Sequence, residues 1–222
     1  MKTVTNVNSY VAWAEFQGSR SAYAQGIAES EEEFRQMCKE KGIDLTDCIV
    51  ELNKKNVRNE IGQSYDKYVA MNDTAYIGIV QGTHSVAISL HDVSEDEITL
   101  TSKKDDGKGH YIDSYMDAVQ DWQGKKNTEH LQAVGLNPAI QLKDGEYIPT
   151  LAELYLICLN RKAINAAMRF VGGQELAGWY WSSTEYSAAN ACSLILGSGS
   201  AIIYTKATNT GRVRPVSAFL HC

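Results

Sequence analysis

The sequence predicts an α+β protein with a small N-terminal α/β module, because its helix and strand signals occupy separate stretches of the chain. Of the 222 residues, 44% are hydrophobic and 22% are charged, which supports a buried core and excludes a wholly disordered chain. Helical patterns follow Ser30 and Thr150, whereas residues 178–219 are rich in small and aromatic residues that alternate as in strands. We place the module at residues 1–70 and a second domain at 75–222.

The N-terminal module is predicted from three short patterns. Residues 9–23 alternate weakly between apolar and polar side chains, which indicates a strand. Ser30 and Glu33 form a capping box at the start of a helix over residues 31–41. Residues 45–52 are strand-like. This module would attach the second domain to a larger assembly or build an oligomer.

The second domain begins with a predicted hairpin. Residues 75–90 contain two β-rich runs around a glycine-bearing connector. Residues 92–109 are acidic and then rich in Lys, Asp and Gly, so we expect an exposed loop. Residues 113–122 predict a helix that ends at Gly124. We expect its apolar side chains to point inward: Tyr115, Met116, Val119 and Trp122.

Three further helices are predicted before the C-terminal strands. They cover residues 127–134, 151–159 and 162–170. Pro149 is expected in the first turn of the second of these helices, where its missing N–H costs nothing.

Two strands are predicted near the carboxyl end, at residues 193–197 and 202–205, around a turn at 198–201. Cys192, Leu194 and Leu196 would share one face, and Ser193, Ile195 and Gly197 the other. We expect the leucine face to be buried and the opposite face to stand in water. Without the motifs that flank this segment, Ile195, Ile202, Ile203 and Tyr204 are more typical of a core than of a surface.

Charge and composition exclude several classes of protein. The net charge is −6, so the basic excess of a nucleic-acid-binding protein is missing. No apolar run approaches the roughly 20 residues of a membrane-spanning helix, and no apolar segment of a signal peptide follows Lys2. The five cysteines are scattered without a CxxC pair, which is typical of a reduced protein rather than of a zinc site or a disulfide framework.

No catalytic, cofactor-binding or metal-binding motif is present. The five histidines have no HxH or HExxH spacing, and the glycine-rich phosphate-binding motifs are missing. Asp105, Asp106, Asp113 and Asp117 are more typical of a solvated acidic loop than of a cation site. We therefore expect no enzyme activity, no metal and no cofactor.

Two motifs near the carboxyl end carry a resemblance to a known family. They are Trp179-Tyr-Trp-Ser-Ser-Thr-Glu185 and Gly211-Arg-Val-Arg-Pro-Val-Ser-Ala-Phe219. With the hairpin at 76–90, residues 124–128 and the helix opener at 148–154, they resemble the bacterial branch of proteins with a formylglycine-generating-enzyme-type C-type lectin fold. That group includes the variable proteins of diversity-generating retroelements. The resemblance covers about residues 75–222 and implies a C-type lectin-like domain there.

In such retroelements, error-prone reverse transcription rewrites adenines, so AAT and AAC codons change to codons for other residues. Changes in the first two bases of these codons never give Lys, Glu, Gln, Met or Trp. These five types make up 48 of the 222 residues, so about five are expected in 24 residues. Residues 187–210 contain only Lys206. The deficit favours a variable segment at 187–210, although small-residue strands also avoid long charged side chains.

The resemblance implies a non-enzymatic receptor-binding protein, in a phage tail or on a bacterial surface, made in the cytoplasm. Its partner would be a protein or a glycan on a target cell surface, with homo-oligomerisation or virion assembly behind it and neither nucleic acid nor membrane insertion involved. The expected ligand-binding residues are Ser187, Ala189, Asn190, Ser193, Ile195, Gly197, Ser198, Ser200, Ile202, Ile203, Tyr204, Thr205, Ala207, Thr208, Asn209 and Thr210.

Two alternatives keep the fold. One is a bacterial adhesin or surface-structure subunit without hypervariation. The other is a formylglycine-generating-type oxidase, for which Cys192 and Cys222 would have to lie within bonding distance. Arg212 and Arg214 are expected to pair with carboxylates or to cap loop carbonyls beneath the surface rather than to contact a ligand. Trp179 and Trp181 are expected to pack in the core.

Overall fold

The structure is a computed structural model that describes residues 48–53, 58–60, 74–81, 84–102 and 110–218. The predicted strand at 9–23 and the predicted helix at 31–41 lie outside these residues. The chain divides into two compact units. Of the described residues, the first unit contains 48–90 and 162–175, with the gaps given above, and the second contains 91–161 and 176–218. The division therefore falls after Leu90, whereas the sequence suggested a boundary between residues 70 and 75.

The described chain is α+β, as predicted, and its sheets are antiparallel. Its helices are α1 (Tyr115–Ala118), α2 (Gly124–Val134), α3 (Leu151–Leu159) and α4 (Arg161–Val171). Its strands are β1 (Cys48–Asn53), β2 (Arg58–Glu60), β3 (Thr74–Gln81), β4 (His84–Ser89), β5 (Glu146–Tyr147), β6 (Trp179–Glu185), β7 (Asn190–Ile195), β8 (Ser200–Thr205) and β9 (Val216–Ser217).

The first unit is built on strands in the order β2-β1-β3-β4. The predicted hairpin is confirmed as β3 and β4, which pair from Tyr76 with Ser89 to Gln81 with His84. Consecutive residues of β4 are buried, Ala87 and Ile88 both at 0% exposure, so both faces of the hairpin are covered. The helix predicted at 162–170 is confirmed as α4, which buries one face with the spacing of an α-helix: Ala163, Ile164, Ala167 and Met168.

The stretch before α2 differs from its prediction. Only α1 is helical, and Tyr115, Met116 and Trp122 are 54%, 64% and 39% exposed, so the predicted inward face is wrong. The cause is Asp121, which is buried and accepts hydrogen bonds from the Asn127 amide at 2.7 Å and the Thr184 hydroxyl at 2.8 Å. Holding this carboxylate inside ends the first helix early, and Gly124 then begins α2 instead of ending a helix.

Residues 92–102 also differ from the exposed loop that was predicted. Leu100 and Thr101 are buried, at 0% and 1% exposure, and Ile98 pairs with Gly211 through hydrogen bonds of 2.9 Å in both directions. The apolar residues in this stretch are therefore core residues. The basic and glycine-rich part of the predicted loop, 103–109, lies outside the described residues.

Helix α3 begins as the sequence predicts, with a one-residue difference. Thr150 is the N-cap, and its hydroxyl accepts from the Glu153 N–H at 3.1 Å while the Glu153 carboxylate accepts from the Thr150 N–H at 2.8 Å. Pro149 therefore precedes the cap instead of occupying the first turn. The Tyr147 hydroxyl also donates to Glu153, at 2.7 Å. Burial outweighs these hydrogen bonds and raises the pKa of Glu153.

This raised pKa predicts a pH dependence for Glu153→Gln. A carboxyl whose pKa is higher in the folded than in the unfolded state favours folding at low pH, and this contribution is lost as pH rises through the folded-state pKa. The glutamine does not titrate. We therefore expect the stability of the unsubstituted protein, relative to the variant, to fall as the pH rises above the ordinary pKa of a glutamate, as measured by urea unfolding. Glu95→Gln, at an exposed residue, is the control. If the unsubstituted protein instead became more stable than Glu153→Gln as the pH rises, the raised pKa of Glu153 would be contradicted.

The second unit combines β5 with β9 and a separate sheet with the order β6-β7-β8. Its core contains Leu100, Leu131, Ile140, Ile148, Trp181, Ala191 and Val213, all at most 6% exposed. The strands predicted at 193–197 and 202–205 are confirmed as β7 and β8, which pair from Asn190 with Thr205 to Ile195 with Ser200. In the described part of the chain, no helix is long and apolar enough to cross a membrane.

Candidate ligand-binding surface

Exposure in the β6-β7-β8 sheet increases toward β8. The central strand β7 is covered on both faces, since Cys192, Ser193 and Leu194 are at most 3% exposed. The outer strand β8 has no fully buried residue, and Ile203 is 48% exposed. Solvent thus reaches the sheet along β8 and the turn that joins it to β7.

The predicted alternation along β7 holds on one face only. Leu194 and Leu196 are buried, at 0% and 2% exposure, as expected. Ser193 was expected in water, and this is wrong because its side chain is 1% exposed. Ser193 pairs with the fully buried Trp181 of β6, so the core also covers this face. Ser193 therefore cannot contact a ligand from the surface.

The residues of β8 alternate between the two faces. Tyr204 shares the Trp181 face, where its ring lies 4.8 Å from that of Trp179 and 6.5 Å from that of Trp181. Ile203 lies opposite Cys192 on the other face. The most exposed large side chain of β8 is thus on the leucine face, whereas the sequence analysis expected exposure on the opposite face. Tyr204 is half-buried and anchors the strand.

The structure separates the predicted ligand-binding residues by exposure. Those that are exposed are Gly197, Ser198, Ser200, Ile203, Thr208 and Thr210. Those that are half-buried are Ser187, Ala189, Asn190, Ile195, Ile202, Tyr204, Thr205, Ala207 and Asn209. Ser193 alone of this set is buried. The pairing of β7 with β8 brings residues 190–195 and 200–205 together.

Helix α3 holds the turn between β7 and β8 through backbone oxygens. The Tyr155 hydroxyl donates to the Gly199 carbonyl at 3.1 Å, and the Cys158 thiol to the Leu196 carbonyl at 3.4 Å. The Tyr115 hydroxyl lies 2.5 Å from that of Tyr155, and burial raises the pKa of Tyr155. Because these bonds use carbonyls, they do not depend on the side chains at residues 197, 198 and 200. This role of Tyr155 was not predicted, since an apolar helical run does not indicate which distant carbonyl a tyrosine hydroxyl will bind.

Beneath the sheet, Asp92 binds two arginines. Its carboxylate accepts from Arg214 Nε at 2.6 Å and from an Arg212 guanidinium nitrogen at 3.1 Å. Asp92 and Arg214 are each 1% exposed at the side chain, and the hydrogen bond from Arg212 to Asp92 raises the pKa of Arg212. The predicted structural role of both arginines is confirmed. Asp92 itself was expected in an exposed loop, and this is wrong because its buried carboxylate pairs with the buried Arg214 and with Arg212, whose side chain is 29% exposed.

A second buried ion pair joins Lys206 to Glu185. The Lys206 ammonium contacts one carboxylate oxygen, and His130 Nε2 lies 3.4 Å from the other. The side chains of Lys206 and Glu185 are 1% and 3% exposed. The backbone of Lys206 binds on both sides, since its N–H donates to Ala189 and its carbonyl accepts from Leu100, both at 2.9 Å. This residue therefore fixes the end of β8 to the core.

Cys192, which the oxidase alternative requires, is 3% exposed. Burial raises the pKa of the Cys192 thiol to about 11, so this cysteine is a protonated thiol at neutral pH and a poor nucleophile. Cys222 lies outside the described residues, as do Asp105 and Asp106. Among the residues that the structure describes, no three His, Cys, Asp or Glu side chains gather to hold a metal ion.

Comparison with solved structures finds a distant likeness of fold. A crystal structure of a fimbrial protein from Bacteroides ovatus ATCC 8483 is similar to this chain with a TM-score of 0.56 at 16% sequence identity. The similarity covers 77% of this chain and 48% of that protein, so the chain spans about half of its length. No protein family and no curated protein sequence matches the chain.

Proposed function

We propose that this chain is a non-enzymatic ligand-binding protein that displays a variable surface on β8, on the residues just after it and on the turn before it. One observation carries the proposal: the exposed side chains of this turn lie on a backbone that Tyr155 and Cys158 hold through carbonyl oxygens. Side chains can then change without loss of these two contacts. Of the variable side chains, Ser198 adds a further contact in the turn, since its hydroxyl accepts from the Ser200 N–H at 3.3 Å. A rigid scaffold below an exchangeable surface is the arrangement that recognition loops use.

The composition of this surface suits adaptable recognition. Its exposed residues are small and polar, apart from Ile203. Small polar residues offer adjustable hydrogen bonds, and a few apolar or aromatic residues supply contact area with few rotatable bonds. The ligand would be a protein or a glycan on a target cell surface, contacted by Ser198, Ser200, Ile203, Thr208 and Thr210.

We further propose a C-type lectin-like fold for the second unit and diversification by a retroelement, in a phage tail or on a bacterial surface. The motifs at residues 179–185 and 211–219 support this reading, as does the composition of residues 187–210. In that window, Lys206 is the only residue of the five excluded types, and its side chain is buried. A segment that varies on its surface would keep such an internal residue constant.

The display surface predicts unequal tolerance along neighbouring strands. We expect Ile203→Ala to change the free energy of unfolding by less than about 1 kcal/mol, because nearly half of this side chain is already in water. Leu194→Ala is the matched control. It removes a side chain of 0% exposure and should cost about 2 kcal/mol or more. Equal losses for the two variants in urea unfolding would contradict the division into scaffold and surface.

The experiment that tests diversification is sequencing of the source DNA around the coding region. A near-copy of the codons for residues 179–214, differing almost only at adenines and lying beside a reverse-transcriptase gene, is expected. A complete genome without such a copy would overturn the retroelement proposal.

A second candidate is an adhesin or surface-structure subunit of the same fold without hypervariation. The likeness to a fimbrial protein favours it. A precursor with a leader peptide, together with a genome that lacks the near-copy, would support this candidate over the first.

A further inference from the structure

Within the described part of the chain, some backbone groups of β8 have no hydrogen-bond partner. The Lys206 N–H donates to the Ala189 carbonyl, and hydrogen-bonded and non-bonded positions alternate along an antiparallel ladder. Three residues therefore direct their N–H and carbonyl groups toward β7, namely Ser200, Ile202 and Tyr204. The other three direct theirs to the open side of the sheet: Ala201, Ile203 and Thr205.

The described chain closes this open side at one end only. Thr205 is satisfied there, since its N–H donates to Asn209 Oδ1 and its carbonyl accepts from the Asn209 N–H, both at 3.0 Å. Among the residues that the structure describes, no strand pairs with this side of β8, and Ala201 and Ile203 have no hydrogen bond there. The unpaired edge is thus confined to two outward-facing residues.

We propose that this edge is a docking site for a second copy of the same chain. In an antiparallel pairing with a two-fold axis at Ile202, Ala201 of each copy lies opposite Ile203 of the other. Directly opposed residues at hydrogen-bonded positions exchange two bonds, so the two pairings satisfy every open group of both copies. The contact at Thr205 then ends the ladder.

The side chains of the edge are complementary in this register. The large, 48% exposed Ile203 meets the small Ala201 of the second copy, and Ile202 meets Ile202. Edge strands that avoid such pairing carry charges, prolines or bulges, and β8 has none of these. Lys206, the next residue, does not place a charge on this edge, because its side chain is buried against Glu185. It therefore does not disfavour pairing with another strand.

Sedimentation velocity of the full chain, in reductant and without ligand, tests the proposal. From about 10 µM to about 1 mM, we expect the average mass to rise from 24.5 kDa toward twice that value. Ala201→Pro removes one outward N–H and spares the bonds to β7, as edge prolines do. Ile203→Lys adds a charge at the edge. Each variant should weaken association about tenfold or more.

The matched control is Leu159→Lys, which places the same charge on an apolar residue of α3 that is 76% exposed, and which should associate as the unsubstituted protein does. A chain that stays monomeric up to about 1 mM would overturn the proposal. So would unchanged association of a folded Ala201→Pro or Ile203→Lys variant, and the lysine variant decides the matter if the proline variant does not fold. This outcome is independent of ligand binding, so it can fail while the proposed function stands.

Discussion

Asp92→Ala is expected to lower the free energy of unfolding by about 3–5 kcal/mol, which is the cost of leaving a buried charge without its counter-charge. The Arg214 guanidinium, 1% exposed at the side chain, would lose the carboxylate 2.6 Å from its Nε. Tyr180, whose hydroxyl lies 3.3 Å from Asp92, would lose an acceptor as well. Urea unfolding followed by circular dichroism measures the loss.

Two further variants separate charge from other causes. Asp92→Asn removes the charge but keeps the volume of the side chain. If the charge is the cause, we expect this variant to lose most of the stability that Asp92→Ala loses. Asp96→Ala removes an exposed acid from the same stretch and should change stability by less than about 0.5 kcal/mol. A loss below about 1 kcal/mol for Asp92→Ala would mean that the buried pair contributes little.

The role of Asp92 also shows what could not be predicted from the sequence. Local patterns predicted the β3–β4 hairpin, α3 and α4, since each depends on residues that are close in sequence. The Asp92–Arg214 pair joins residues 122 positions apart, and no spacing rule connects them. Arg212 and Arg214 were expected to pair with carboxylates or to cap loop carbonyls, because their spacing follows the closing strand. Nothing in the sequence indicates which carboxylate they bind.

Ser193 illustrates a second limit. Alternation along β7 assigns residues to two faces but does not tell whether one or both faces are covered. Ser193 and its cross-strand partner Trp181 are both buried, so the second face is covered as well, and exposure increases toward β8 instead. The exposed residues of the predicted segment therefore lie mainly on β8 and beside it, because tertiary packing decides which strand and which face remain in water.

Lys206→Met is expected to destabilise the protein by about 3–5 kcal/mol. The methionine retains most of the side-chain volume, so the main change is loss of the ammonium that contacts the Glu185 carboxylate, which is 3% exposed. Lys143→Met is the matched control. It removes a lysine that is 72% exposed and 3.8 Å from Glu146, and it should cost less than about 1 kcal/mol.

A double variant distinguishes the ion pair from packing alone. Glu185→Gln with Lys206→Met removes both charges, so the combined loss in urea unfolding should be smaller than the sum of the single losses, by about 0.5–3 kcal/mol. Additive losses, or equal effects of Lys206→Met and Lys143→Met, would contradict the assignment. Because Lys206 lies within residues 187–210, a large loss would also explain why a surface-variable segment retains one long charged residue: its ammonium serves the core and not the ligand.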